Sequence, residues 1–310
     1  MLPENVINLM EKQQYRIVGK HSAVKICYWT KQSLVNNRVC YKEKWYPPVE
    51  SHRCMQMTPY LGCNFHCLHC WRIHSGDREG VVWKEYPPEI EMDDPSLIVE
   101  GCIEARRRLL SGFKGNEKVD RRKYEEALKP TMMTMSLTGE PTLYPDIAGL
   151  IEEAKKRGMI SFLVTNGSMP RRLEELETLP FQLYVSIVAP NKELFEKLAR
   201  PKIPDAWEKL NETLNLLPSL DTRKVLRLTM IRGYNMSKVD EYSELILRGK
   251  PDFVEVKAYE WVGESMRRLP REAMPDMEDI RRFSRRLESL CGYAWSGEFE
   301  PSGVLLLSSK

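Results

Sequence analysis

Cys63, Cys67 and Cys70 lie in the stretch Cys63-Asn64-Phe65-His66-Cys67-Leu68-His69-Cys70, a C-x3-C-x2-C spacing. Three thiolates so close in the chain can wrap a compact loop around one iron–sulfur cubane, which usually takes four thiolates. Three protein ligands leave one iron open, and an open metal position is where an exogenous ligand binds. Zinc is the competing reading. Structural zinc sites favour paired C-x2-4-C motifs with a fourth ligand, a place that His66, His69 or His74 could fill.

A second triplet lies upstream. Cys27, Cys40 and Cys54 are spaced C-x12-C-x13-C, so six of the eight cysteines fall between residues 27 and 70. Cysteines so widely dispersed are often plain core residues, which leaves a second metal site open on spacing alone. Lys42 and Lys44 flank the middle cysteine. A lysine beside such a site could form a Schiff base with a ketone, or act as a fixed cation for a carboxylate; the bland alternative is a solvated surface charge. Cys102, on a face with Ile98, Ala105 and Leu109, and Cys291, closing an apolar stripe, read as core.

The elements that must position these residues are legible as a succession. Strand-like runs occur at Met55–Pro59 and near 132–137, 160–165, 183–189, 225–231 and 253–259. Helical periodicity falls at 95–110, 143–157, 205–217, 237–248 and 276–290. Alternating strands and helices predict parallel βα units, about six of them, hence an α/β fold of the partial (β/α)6 TIM-like barrel type. Ligands of such folds sit beyond the carboxyl ends of strands. Gly139-Glu140, Asn166 and Ser186 sit at such ends; Asn166-Gly167 is also an ordinary turn sequence.

The 310 residues carry a net charge of only +3, so composition does not announce a nucleic-acid binder. Arginine is nonetheless clustered, at 106–108, 121–122, 171–172, 267–268 and in the group Arg281, Arg282, Arg285, Arg286, where four-residue steps could present a basic ridge on one helix. A solvated face with acidic neighbours explains any single cluster equally well. No apolar run approaches the ~20 residues of a membrane span. The opening MLPENVINLMEKQQYR is too charged for a secretory signal, so a cytoplasmic location is expected.

The C-x3-C-x2-C loop after a first strand, followed by Ser136-Leu137-Thr138-Gly139-Glu140-Pro141, resembles the radical S-adenosylmethionine (SAM) superfamily. The resemblance narrows to the tRNA 4-demethylwyosine synthases in their short archaeal form. It is carried by Cys27, Cys40 and Cys54, by Cys40-Tyr41-Lys42-Glu43-Lys44-Trp45-Tyr46 and Ser51-His52-Arg53-Cys54, and by the stretch 136–145. Val164-Thr165-Asn166-Gly167 and Leu228-Thr229-Met230-Ile231-Arg232-Gly233-Tyr234-Asn235 extend it across nearly the whole chain.

The resemblance implies two 4Fe-4S clusters, one on Cys63, Cys67 and Cys70 that binds SAM and one on Cys27, Cys40 and Cys54 that holds pyruvate. It implies that Gly139, Glu140, Asn166 and Ser186 face SAM, and it singles out Lys42 over Lys44. The implied reaction cleaves SAM to a 5′-deoxyadenosyl radical, which takes hydrogen from the methyl group of N1-methylguanosine-37 of tRNA-Phe. The carbon radical then adds to pyruvate, and carbon–carbon cleavage and ring closure give the tricyclic base. The expected organisation is an N-terminal extension over 1–54 with the second cluster's ligands, then a radical SAM partial barrel with a C-terminal extension over 55–310. A monomer supplied by an external electron donor such as a flavodoxin or ferredoxin is expected.

Two departures from the family pattern stand out. His69 occupies the place of the aromatic that precedes the third cysteine, with Trp71 able to take over packing near the adenine. Val188 replaces an acidic residue, with Asn191 nearby as a substitute. The rivals are a radical SAM enzyme whose upstream cluster only transfers electrons, and a non-catalytic zinc or iron–sulfur RNA-binding protein.

Overall fold

The computed structural model describes residues 3–309, which divide into two compact units. One comprises the chain up to Cys63 with 78–164 and 176–181; the other comprises 64–77, 165–175 and the chain from Gln182 on. The βα succession falls three strands to a unit. Where elements begin is set by caps: Asp94, Asp120, Asp146, Asn191 and Asp276 each accept a backbone N–H of the helix they precede.

The first unit opens with α1 (Glu4–Lys12), β1 (Arg16–Val18), β2 (Ser22–Lys25), α2 (Tyr28–Asn36) and α3 (Tyr41–Trp45). It continues with β3 (Cys54–Thr58), α4 (Pro95–Ser111), α5 (Arg121–Ala127), β4 (Met132–Met135), α6 (Ile147–Lys156) and β5 (Ile160–Thr165). β3, β4 and β5 run parallel, with Met57 opposite Met135 and Met135 opposite Leu163. β2 adds to β3 antiparallel and β1 to β2. α2, α4 and α5 share a core of Ile26, Leu34, Leu110, Val119, Tyr124 and Ala127.

The second unit contains α7 (Pro170–Glu174), β6 (Gln182–Ile187), α8 (Lys192–Ala199), α9 (Ala206–Leu216), β7 (Arg223–Met230), α10 (Val239–Gly249) and β8 (Phe253–Ala258). α11 (Met277–Cys291), β9 (Ala294–Phe299) and β10 (Val304–Ser308) complete it. β6, β7 and β8 are parallel; β10 then pairs antiparallel with both β8 and β9. The expected last helix is present as α11, but the parallel pairing ends at β8, because the turn at Glu300–Ser302 and the left-handed Gly303 (φ +56°) fold β9 and β10 into an antiparallel hairpin.

Other boundaries move for local reasons. The helix expected over 143–157 starts at Ile147, capped by Asp146, since Pro141–Leu143 forms a separate 3₁₀ turn. The antiparallel strands β1, β2, β9 and β10 carry no βα signature and were not expected. No helix of the described residues is long and apolar enough to cross a membrane.

Candidate active site

In the first unit Cys27 and Cys40 occupy equivalent places, the extended residue just before α2 and α3 respectively. Orphan N–H groups at such helix starts favour negative charge: those of Trp29 and Thr30 favour the Cys27 thiolate, and that of Lys42 the Cys40 thiolate. Cys54 is the first residue of β3, its sulfur 3.5 Å from Thr134 Oγ1 on β4. The fold brings the three together, for Cys27 acts electrostatically on both Cys40 and Cys54. Burial disfavours all three thiolates, pushing the Cys40 thiol up to about 12. Such donors ionise readily only against a compensating metal charge.

Lys42 lies at the same place. It is 9% exposed, its Nζ is 4.8 Å from the centre of the Phe162 ring, and its charge favours the thiolate form of all three cysteines. Lys44 is exposed. Ser51 braces the group: its Oγ accepts from Cys40 N at 2.8 Å, and its carbonyl accepts from Thr30 Oγ1 of α2 at 2.8 Å. Lys25 is a second cation beside Cys27, its own pKa lowered by burial, Lys31 opposing and Cys27 supporting its charge.

Arg106 corrects part of the surface reading. It belongs to the buried stripe Ile98, Cys102, Arg106, Leu110 of α4 and is 1% exposed. Its guanidinium donates to the carbonyls of Cys54 (3.2 Å), His52 (2.7 Å) and Ala127. The four-residue step shared with Ile98, Cys102 and Leu110 was a usable signal for an inward arginine. Cys102 and Cys291 are buried, as expected of core.

Also in the first unit, the turn after β4 is fastened to the exit of β3. Thr58 Oγ1 donates to Thr138 O at 2.6 Å, and Glu140 N donates to Gly62 O at 2.9 Å. Gly139 is left-handed (φ +70°), and a Cβ there would lie 2.2 Å from Tyr60 O, so no other residue fits without displacing the backbone before Cys63. The Glu140 carboxylate, 2% exposed, turns back to accept from Thr142 N (3.1 Å) and Oγ1 (2.6 Å).

In the second unit the loop 64–77 carries Cys67 and Cys70. Its backbone is pinned by His66 N on Arg200 O (3.2 Å), Leu68 N on Leu198 O (2.9 Å) and Lys202 N on Asn64 O (2.8 Å). Asn64, fully buried, accepts from Asn166 Nδ2 (2.9 Å) and donates to Ser168 Oγ (2.8 Å). Asn166 therefore secures the residue next to Cys63. Burial, then the Arg268 charge, lowers His69 to about 4, which keeps its ring neutral. The Trp71 side chain is 44% exposed.

Ser186 of β6 is half-buried and lies in register with Arg227 of β7, which is itself opposite Glu255 of β8. Glu255, fully buried, accepts from Arg227 Nε (2.9 Å) and Tyr184 Oη (3.0 Å). This network was not foreseen, since single charges within strand runs give no sequence signal of pairing. Asn191, close to the Val188 that replaces the acidic residue, caps α8 with its Oδ1 and donates from Nδ2 to Glu241. The basic ridge on α11 is partly spent, with Arg281 held bidentate by Glu298 and Arg282 paired with Asp279 at 3.2 Å.

Known proteins give this arrangement a class. Residues 57–246 match the radical SAM superfamily, and residues 248–309 match the family described as wyosine base formation. The chain is thus an α/β radical SAM enzyme, a class that uses SAM and a 4Fe-4S cluster. It is 49% identical over 311 residues to the SAM-dependent tRNA 4-demethylwyosine synthase of Pyrococcus abyssi, covering 99% of this chain and 89% of that protein. The mouse enzyme TYW1 is 37% identical, covering 97% of this chain and 41% of the mouse protein. A structure of TYW1 with a lysine–pyruvate adduct bound superposes with a TM-score of 0.89 at 32% identity, covering 100% of this chain and 97% of that one. An archaeal TYW1 crystal structure gives a TM-score of 0.81 at 30% identity, with the same coverage. The chain belongs to the SAM-dependent tRNA 4-demethylwyosine synthase family.

Proposed function

We propose that this protein builds 4-demethylwyosine on tRNA-Phe, joining N1-methylguanosine-37 to two carbons of pyruvate. The observation that carries this reading is the placement of buried Lys42 with Cys27, Cys40 and Cys54 in the first unit. An electron-transfer cluster needs no buried lysine beside it, and a zinc-bound RNA module needs neither that lysine nor the Gly139-Glu140 turn. Cys63, Cys67 and Cys70 hold the SAM cluster, and Cys27, Cys40 and Cys54 hold a second 4Fe-4S cluster. When bound, the SAM cluster supplies the electron that cleaves SAM.

The chain's own groups do the rest by positioning. The Glu140 carboxylate is engaged by Thr142, so the backbone of the turn, held close by Gly139, receives the SAM ammonium. Asn166 and Ser186 contribute short polar groups to SAM. Lys42 takes pyruvate, its low exposure excluding the water that would reverse a Schiff base. That step joins nitrogen to the keto carbon, releases the keto oxygen as water and requires the amine to shed its proton. The lysine–pyruvate adduct seen in TYW1 supports this choice. The target base must leave its stack to reach such a site. Exposed Arg285 and Arg286 are more available to tRNA phosphates than their engaged neighbours Arg281 and Arg282. The protein works as a monomer in the cytoplasm with a flavodoxin or ferredoxin as donor, and residues 1–54 act as the extension that supplies the second cluster's ligands.

The test is anaerobic incubation with SAM, pyruvate, reductant and tRNA bearing N1-methylguanosine, followed by nucleoside mass analysis. 4-Demethylwyosine is expected only with pyruvate present. Borohydride should trap a pyruvate adduct on the wild type and none on Lys42→Arg; trapping on Lys42→Arg, or product without pyruvate, overturns the assignment.

A further inference from the structure

Arg268 lies in the segment that matches wyosine base formation, yet its side chain is devoted to the cysteine loop of its own unit. It is 8% exposed. One terminal nitrogen donates to the carbonyls of Cys70 and Arg72, the latter at 3.1 Å, and the other meets the His74 ring and Asp77 Oδ2, the carboxylate at 3.3 Å. Nε is buried without a partner. The carbonyl between those two is taken as well: Glu264 N donates to Trp71 O at 2.9 Å. Gly263, left-handed at φ +60°, allows this approach, since a Cβ there would lie 2.4 Å from Trp71 O. Residues 263–268 thus grip three consecutive carbonyls at and after the last cysteine of the loop.

We propose that Arg268 is a positioning residue for the SAM cluster. It fixes the loop before iron arrives and keeps a permanent positive charge beside the Cys70 ligand. The planar fork matters, because a lysine could not span two carbonyls and a carboxylate together. The buried charge matters separately: a nearby cation stabilises the more negative, reduced state of a cluster. The inference rests on the reading that Cys63, Cys67 and Cys70 hold that cluster.

The test uses the full chain with Arg268→Gln, Arg268→Lys and Gly263→Ala. Hydrogen exchange of the apoprotein should show protection of the amides between His66 and His74 falling on the order of tenfold in Arg268→Gln. Redox titration followed by electron paramagnetic resonance should place the SAM cluster's midpoint at a more negative potential in that variant. Arg268→Lys should recover most of the potential and little of the protection; Gly263→Ala should lose protection while nearly keeping the potential. Wild-type protection and potential in Arg268→Gln overturn the proposal. Cys67→Ala separates the two readings: if it loses about four irons while Arg268→Gln behaves as wild type, the clamp alone fails; if it keeps all its iron, the cluster assignment fails and takes the charge role with it.

Discussion

The two cysteine triplets solve one problem in opposite ways. The downstream loop concentrates its ligands in a short stretch, so its geometry depends on backbone anchors such as Leu68 N on Leu198 O and on the Arg268 grip. The upstream triplet draws on two helix starts and one strand, so it exists only when α2, α3 and β3 have docked. In both, a buried arginine takes the carbonyl of the last cysteine, Arg106 that of Cys54 and Arg268 that of Cys70. A local motif needs help to hold its shape; a dispersed one has that shape built into the core.

The sharpest way to break the comparison is to remove one ligand from each side. Cys67→Ala should abolish 5′-deoxyadenosine formation, read by chromatography. Cys40→Ala should lose about four irons of about eight yet retain uncoupled SAM cleavage. Unchanged iron in Cys40→Ala would dissolve the second cluster.

Next come the buried charges. Glu255→Ala leaves Arg227 without its carboxylate in the second unit and should cost about 3–5 kcal/mol in urea unfolding. Arg106→Met in the first unit leaves the Cys54, His52 and Ala127 carbonyls without their donor, a loss of about 3 kcal/mol. It should also weaken iron retention by the upstream triplet and spare SAM cleavage; a variant with full stability would show that Arg106 holds nothing in place.

The smallest expected effect is a pH dependence. Asp93 N donates to His21 Nε2 at 2.8 Å, so Nδ1 carries the hydrogen that goes to Pro59 O at 2.6 Å. The ring is neutral, and burial holds its pKa below the usual histidine value. A lowered folded pKa means the contribution is complete above the unfolded value of about 6.5 and is lost as pH falls through the folded one. Stability of the first unit should therefore decline on acidification, and His21→Gln should flatten the stability–pH curve below about pH 6.5; an unchanged curve would assign the acid sensitivity elsewhere.

Much of this protein is legible in its sequence because the relevant physics is local. The C-x3-C-x2-C loop needs no tertiary contact to be recognised, and β5 and β8 fall where their apolar runs predict. Helix starts follow capping aspartates, and Gly139 marks a backbone position no side chain tolerates. The tertiary structure alone decides matters that join distant residues. It assembles Cys27, Cys40, Cys54 and Lys42, turns Arg106 inward, and commits Asn191 to a helix cap. It also brings Arg268 back to Cys70 across nearly two hundred residues. A buried charge is stable only where its partners converge, and that convergence is a property of packing that no window of sequence contains.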